Sequence, residues 1–208
     1  GCEIALHADK VVASAETYTG LVEVGAGVIP GGGGTKEFAL RLSDETFEGD
    51  IELPSLRNKF LTIGMAKVST SAAEAFDLGF YKKGRDKYVV NQDRQIAEAK
   101  TAVLDMANAG YTRPLERKDI RVLGRQGLGM VYAGAYTMYS GKYISEHDKL
   151  ISEKLGYVLC GGDLSNKTLV SEQYLLNLER EAFLSLLGEK KTLERIQSIL
   201  TTGKPLRN

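Results

Sequence analysis

Tryptophan is absent from this chain, and cysteine and histidine occur only twice each. Cys2 and Cys160 are far apart in sequence and do not make a disulfide framework, so a reducing, cytoplasmic setting is the simpler expectation. Two histidines exclude a histidine-rich metal site. Neither sign of charge is in excess: Lys plus Arg and Asp plus Glu each number 27. That balance argues against nucleic acid as a general partner, because a phosphate-binding face needs surplus basic residues. It leaves room for one local basic pocket for a phosphorylated ligand. Long apolar runs are missing too, since Glu, Lys or Asp interrupts each of them, and no membrane span is expected. The chain also lacks an initial Met, a signal peptide or a polar leader. It opens Gly1-Cys2-Glu3-Ile4-Ala5-Leu6, inside what reads as structure, so a fragment with an upstream part is expected.

What is present is ordinary globular protein: 208 residues, 43% hydrophobic and 26% charged. A chain of that length forms one large or two small domains and buries roughly 70% of its unfolded surface. Residues 1–8 have a helical composition. Lys10–Ser14 and Tyr18–Val22 are short β-leaning runs. Residues 25–34 hold six glycines and one proline, which no regular element survives. Helices are predicted over Thr35–Leu42, over Leu53–Lys67 with Pro54 in its first turn, and from Ser71, followed three later by Glu74, to Gly79. Lys87–Val90 reads as a strand and Asp93–Asn108 as an amphipathic helix ended by Gly110 and Pro114. Beyond it the periodicity is helical over Gly127–Tyr143, Ile144–Leu159, Leu169–Leu187 and Thr192–Leu200. The expected class is α/β: a βα part over 1–115, then a helical C-terminal region over 116–208.

Two carboxylates stand out. Glu3 and Glu23 lie 20 residues apart across the two β-leaning runs, each among apolar neighbours where an ionised group is costly unless paired or used. Two carboxylates on one pocket can divide acid and base work; the plain alternative is two solvated surface residues. The glycine run fails as a phosphate loop, because Thr35 precedes Lys36, and fails as a dinucleotide fingerprint, because Pro30 stands where Gly is required. Gly127-x-Gly129 followed by Tyr132 fails likewise. What remains is a loop whose backbone N–H groups approach a ligand or a water. His7, one helical turn after Glu3, makes a metal pair with it on paper, but an ordinary hydrogen-bonded histidine is the better reading. Cys2 reads as a small packed residue rather than a nucleophile. The apolar stripe of 169–187 reads as core or subunit contact.

The ordered set Gly1-Cys2-Glu3, Ala8-Asp9-Lys10, Val22-Glu23 and Ile29-Pro30-Gly31-Gly32-Gly33-Gly34-Thr35 resembles the crotonase superfamily, and within it the enoyl-CoA hydratases. Ser69–Gly79 is similar to a further segment of that family. The stretch from about Tyr174 onward is similar to crotonase domains fused behind a 3-hydroxyacyl-CoA dehydrogenase domain. Residues 111–168 look like an expansion of that subgroup. The resemblance implies a ββα spiral, here N-terminally truncated, with a helix-rich C-terminal region. It implies that Glu3 and Glu23 are the catalytic pair that adds water across a 2-enoyl-CoA thioester. It places Gly1, Val22, Ala26 and Gly31 at the substrate: Gly31 as a loop glycine whose N–H helps hold the water, Val22 in place of the family's usual proline, and Ala26 where a bulkier apolar residue is frequent. Keeping both glutamates favours hydration over isomerisation or thioester hydrolysis; a non-catalytic assembly module is the contrasting reading. The family's thioester oxygen is held by an upstream loop and by the glycine before Gly1, so this stretch alone is expected to be nearly inactive. A trimer or hexamer and an acyl-CoA partner are implied, with no cofactor in this chain and NAD confined to an upstream dehydrogenase domain.

Overall fold

The computed structural model describes residues 1–208. Helices account for more than half of the chain and the strands form small two-stranded sheets, an α/β fold as the composition leads one to expect. The chain folds as two compact units, each assembled from two stretches of sequence: 1–20 with 68–115, and 21–67 with 116–208.

The first unit contains α1 (Cys2–His7), β1 (Val12–Ser14), β2 (Thr19–Gly20), β3 (Val68–Ser69), α4 (Ala72–Asp77), β4 (Lys87–Val89) and α5 (Gln95–Asn108); α2 (Gly34–Asp44) and α3 (Glu52–Gly64) belong to the second unit. β1 runs parallel to β4, with Val12 opposite Lys87 and Ser14 opposite Val89. β2 runs antiparallel to β3. Asp86, just before β4, is a buried brace: its carboxylate accepts the N–H of Val11 at 2.9 Å and of Lys82 at 2.7 Å. Gln95 Nε2 donates to the Val12 carbonyl at 3.0 Å and ties α5 to β1. Ser71 caps α4 by accepting the Glu74 N–H at 3.1 Å. Glu74 reaches back to Thr70 rather than to the cap itself, taking its N–H and its hydroxyl at 2.7 Å each. Those two bonds hold the Glu74 carboxyl below the usual carboxylate range.

The second unit begins with a 3-10 turn (Glu23–Ala26), then α2 (Gly34–Asp44) and α3 (Glu52–Gly64). After the break in sequence come β5 (Ile120–Val122), α6 (Arg125–Ser140), α7 (Glu146–Leu159), β6 (Thr168–Val170), α8 (Glu172–Leu187) and α9 (Lys190–Thr202). Its core is hydrocarbon from α2, α3, α7 and α8, with Phe38, Leu56, Ile63, Leu155 and Leu175 all fully buried. α7 starts in a closed capping box, in which Ser145 and Asp148 each hold the other's backbone N–H.

One helix expected from the sequence divides in two. Periodicity predicts a single helix over Leu169–Leu187, but Thr168–Val170 pairs antiparallel with β5, Ile120 lying opposite Val170. Ser171 is the divider: it has extended backbone and its Oγ takes the Tyr174 N–H at 3.1 Å. A serine that caps α8 ends the helix on that side, and the β-branched residues before it are then available to a sheet.

Candidate functional site

Glu23 opens the 3-10 turn of the second unit, with Val22 before it, half exposed, and Ala26 at its end. The glutamate is half-buried and its Oε2 atom is shielded from solvent. Gly27 closes the turn in the left-handed region at φ +92° and donates its N–H back to the Val24 carbonyl at 3.1 Å. A side chain there is excluded twice over: by the backbone conformation, and by Thr192, whose Oγ1 would sit 2.9 Å from an added Cβ.

Helices α7 and α9 hold this turn. Thr192 is fully buried, and its hydroxyl donates to the Gly27 carbonyl at 2.8 Å. His147 Nε2 lies 2.9 Å from the same hydroxyl oxygen. A carbonyl only accepts, so the single hydroxyl proton goes to Gly27 and His147 must supply the other, from Nε2. Burial pushes the His147 pKa down, helped by Arg195 and Lys191 and opposed by Glu189 and Asp148. One turn along α9, the buried Arg195 pairs with Asp148 of α7 at 2.8 Å and approaches the Val24 carbonyl at 3.5 Å. Burial would raise the Asp148 carboxyl, but the Ser145 backbone N–H and Arg195 outweigh it and hold the group low.

The glycine loop that follows is already occupied. The N–H of Gly33 donates to Glu179 Oε1 at 2.6 Å and that of Lys36 to Oε2 at 2.8 Å. Glu179 projects from α8, is 1% exposed, and sits at the N-terminus of α2, where the free amide groups and the helix dipole favour an anion. The loop's open backbone thus receives a carboxylate of the chain itself. Lys36, equally buried, bridges Glu37 at 2.8 Å and Glu172 at 3.0 Å, while Glu172 also accepts the Arg117 N–H at 2.9 Å. Gly31 lies beneath the ring of Phe183, 2.5 Å from the place of its missing Cβ, so only a glycine leaves that ring where it is.

Val22, Glu23 and Ala26 therefore share one turn, and Gly31 follows on the same loop. Glu3 and Gly1 belong to the first unit: Gly1 is the exposed N-cap of α1 and Glu3 stands, half-buried, in its first turn. His7 donates Nδ1–H to the backbone carbonyl of Glu3 at 2.7 Å, the ordinary hydrogen-bonded role expected of it. Cys2 is half-buried. Cys160 is buried, and burial pushes its thiol up to about 12, which leaves it unreactive. No group of three or more His, Cys, Asp or Glu side chains is placed to hold a metal ion.

An apolar cavity of about 330 Å³ lies beside the turn. Val24 and Gly25 form one wall, Phe60 of α3, Met65 just after α3, Met138 of α6 and Ile151 of α7 the others, and Asp148 and Arg195 reach its edge. Glu179, Thr192, His147 and Arg195 were not among the candidates raised by sequence reading. Glu179 left a signal, because it interrupts the apolar face made by Leu175, Leu178, Ala182 and Leu186. Thr192 and Arg195, three apart on one face of α9, left a fainter one.

No family model matches the chain. It is similar to a Bacillus subtilis protein provisionally named 3-hydroxyacyl-CoA dehydrogenase, 43% identical over 208 residues, which is all of this chain and 26% of that relative. It is also similar to a Rickettsia felis protein provisionally named fatty acid oxidation complex trifunctional enzyme, 29% identical over 200 residues, 96% of this chain and 24% of the relative. The Rickettsia prowazekii protein of the same name is 26% identical over the same share. The chain spans about a quarter of the length of the curated relatives it matches.

Proposed function

We propose that this chain is the hydratase-type, crotonase-like portion of a longer multifunctional protein of fatty-acid β-oxidation, one that also carries 3-hydroxyacyl-CoA dehydrogenase activity. In this reading residues 1–115 are a partial crotonase-like spiral and 116–208 its helical C-terminal region. The substrate is a 2-enoyl-CoA thioester, the setting is cytoplasmic, the assembly a homo-oligomer, and NAD serves a dehydrogenase domain elsewhere in the protein. The observation that carries the proposal is Glu23: a carboxylate with one oxygen withdrawn from solvent, at the head of a glycine loop whose backbone is held by two distant helices. The names of the relatives support the pathway.

The chemistry needs two carboxylates. Water loses a proton to one as its oxygen bonds to the β-carbon, the double-bond electrons move toward the thioester, and the α-carbon then takes a proton from an acid. Glu3 and Glu23 are the pair assigned to these transfers, with Gly31 holding the water and Gly1, Val22 and Ala26 beside the acyl group. Val24 and Gly25, next to Glu23, also wall an apolar cavity suited to hydrocarbon.

The test is Glu3→Gln and Glu23→Gln, made separately in a protein of the relatives' length that contains this chain, with hydration of crotonyl-CoA measured. Each is expected to lose on the order of 10²–10⁴-fold in rate while assembly is retained. Unchanged hydration in either variant overturns the reading and leaves an assembly module.

A further inference from the structure

We infer that α7 and α9 form a clamp that sets the position of the Glu23 turn, with His147 and Thr192 as positioning residues. The inference rests on Glu23 acting as proposed above and adds to it the parts that aim the carboxylate. A 3-10 turn of four residues closed by glycine has little stiffness of its own. What fixes it comes from far along the chain: Thr192 at Gly27 and Arg195 at Val24, 165 and 171 residues away. The bonds of Thr192 are directional and buried. His147 donates to Thr192 and Thr192 donates to Gly27, so neither side chain can turn without leaving a buried polar atom unpaired. Thr192 also fills the space that the absent Gly27 side chain leaves, contacting the turn through shape as well as through hydrogen bonding. Arg195, paired to Asp148, joins the two helices beside the same turn. Displacing a catalytic group by about 1 Å costs about 10²-fold in rate, so a support of this kind controls turnover without touching substrate.

The experiment compares Thr192→Val, Thr192→Ser, His147→Leu and His147→Gln in the same full-length protein. Two quantities are read: the Glu23 carboxylate titration by ¹³C NMR, and kcat and KM for crotonyl-CoA. Thr192→Val keeps the shape and loses both hydrogen bonds; it is expected to shift the Glu23 titration and to lower kcat about 10- to 100-fold with KM nearly unchanged. Thr192→Ser restores both quantities. His147→Gln, whose amide nitrogen reaches the place of Nε2, behaves as the unaltered protein, and His147→Leu behaves as Thr192→Val. A folded Thr192→Val protein with unmoved Glu23 titration and kcat overturns the clamp, as does a His147→Gln protein as impaired as His147→Leu. Should Thr192→Val fail to fold, the two His147 variants decide. If the Glu23 titration moves in a protein that never hydrates crotonyl-CoA, the hydratase reading fails and the clamp stands. If Glu23→Gln abolishes hydration while Thr192→Val leaves Glu23 undisturbed, the clamp alone fails.

Discussion

Glu3 and Glu23 are held in opposite ways. Glu3 stands on α1, a six-residue helix with no side-chain cap at its start, and its backbone carbonyl takes His7 four residues on. Glu23 stands on a turn braced from α7 and α9 and followed by a loop braced from α8, with partners 146 to 171 residues away. The first arrangement can be written into a short stretch of sequence. The second exists only after the C-terminal helices have docked, and its loop-closure entropy is offset by burial of the same helices. Damage to the helical region is therefore expected to disturb the Glu23 side more than any local change there.

The largest effect is expected at Glu179. Glu179→Leu leaves the Gly33 and Lys36 amides buried without their acceptor, and loss of about 3–5 kcal/mol in denaturant unfolding is expected, as for other broken buried charge networks. Glu179→Gln keeps an acceptor and is expected to lose less. A Glu179→Leu protein of unaltered stability would mean that the loop is not held as described. Next comes Thr192→Val, which removes two buried hydrogen bonds and is expected to lower stability by about 1–3 kcal/mol. Ser71→Ala in the first unit removes a helix cap, with about 1 kcal/mol expected by thermal unfolding; an effect matching that of Glu179→Leu would erase the contrast between local and distant bracing.

The smallest effect is a pH dependence. The folded-state pKa of His147 lies below that of the unfolded chain, so the unfolded chain binds the proton first. Stability is full at high pH, declines as pH falls through about 6.5, and levels off below the folded value. Asp148 is also depressed in the fold, so its contribution is lost further down, as pH falls through about 4 toward the folded value. Urea unfolding at a series of pH values separates them: His147→Gln removes the upper decline and leaves the lower.

Much of the architecture was legible beforehand, and for local reasons. Ser71 and Glu74 announced α4 because a cap acts within one turn. Ser145 and Asp148, which close the box that starts α7, are a signal of the same kind, on which the expectation of that helix did not draw. Six glycines in ten residues mark a loop, which the structure shows between the 3-10 turn that ends at Ala26 and α2, which begins at Gly34. Leu169 and Val170, expected as the start of a helix, are instead strand: so few residues cannot show a period, and only pairing with β5 makes them one. The glycine loop was read as open to a ligand, and its occupant, Glu179, proved to be the chain's own. That glutamate was visible as a charge on an apolar face, but not where the charge would go.

The sequence by itself determined most of the helical segments, where several of them begin, and that no long element crosses the glycine run, because propensity, capping and backbone freedom act over a few residues. Tertiary structure alone decided that 21–67 folds with 116–208, that Glu179 caps α2, and that His147 and Thr192 meet at Gly27. Those choices are made by buried polar groups that must find partners, and a partner tens of residues or more away leaves no mark in the local pattern.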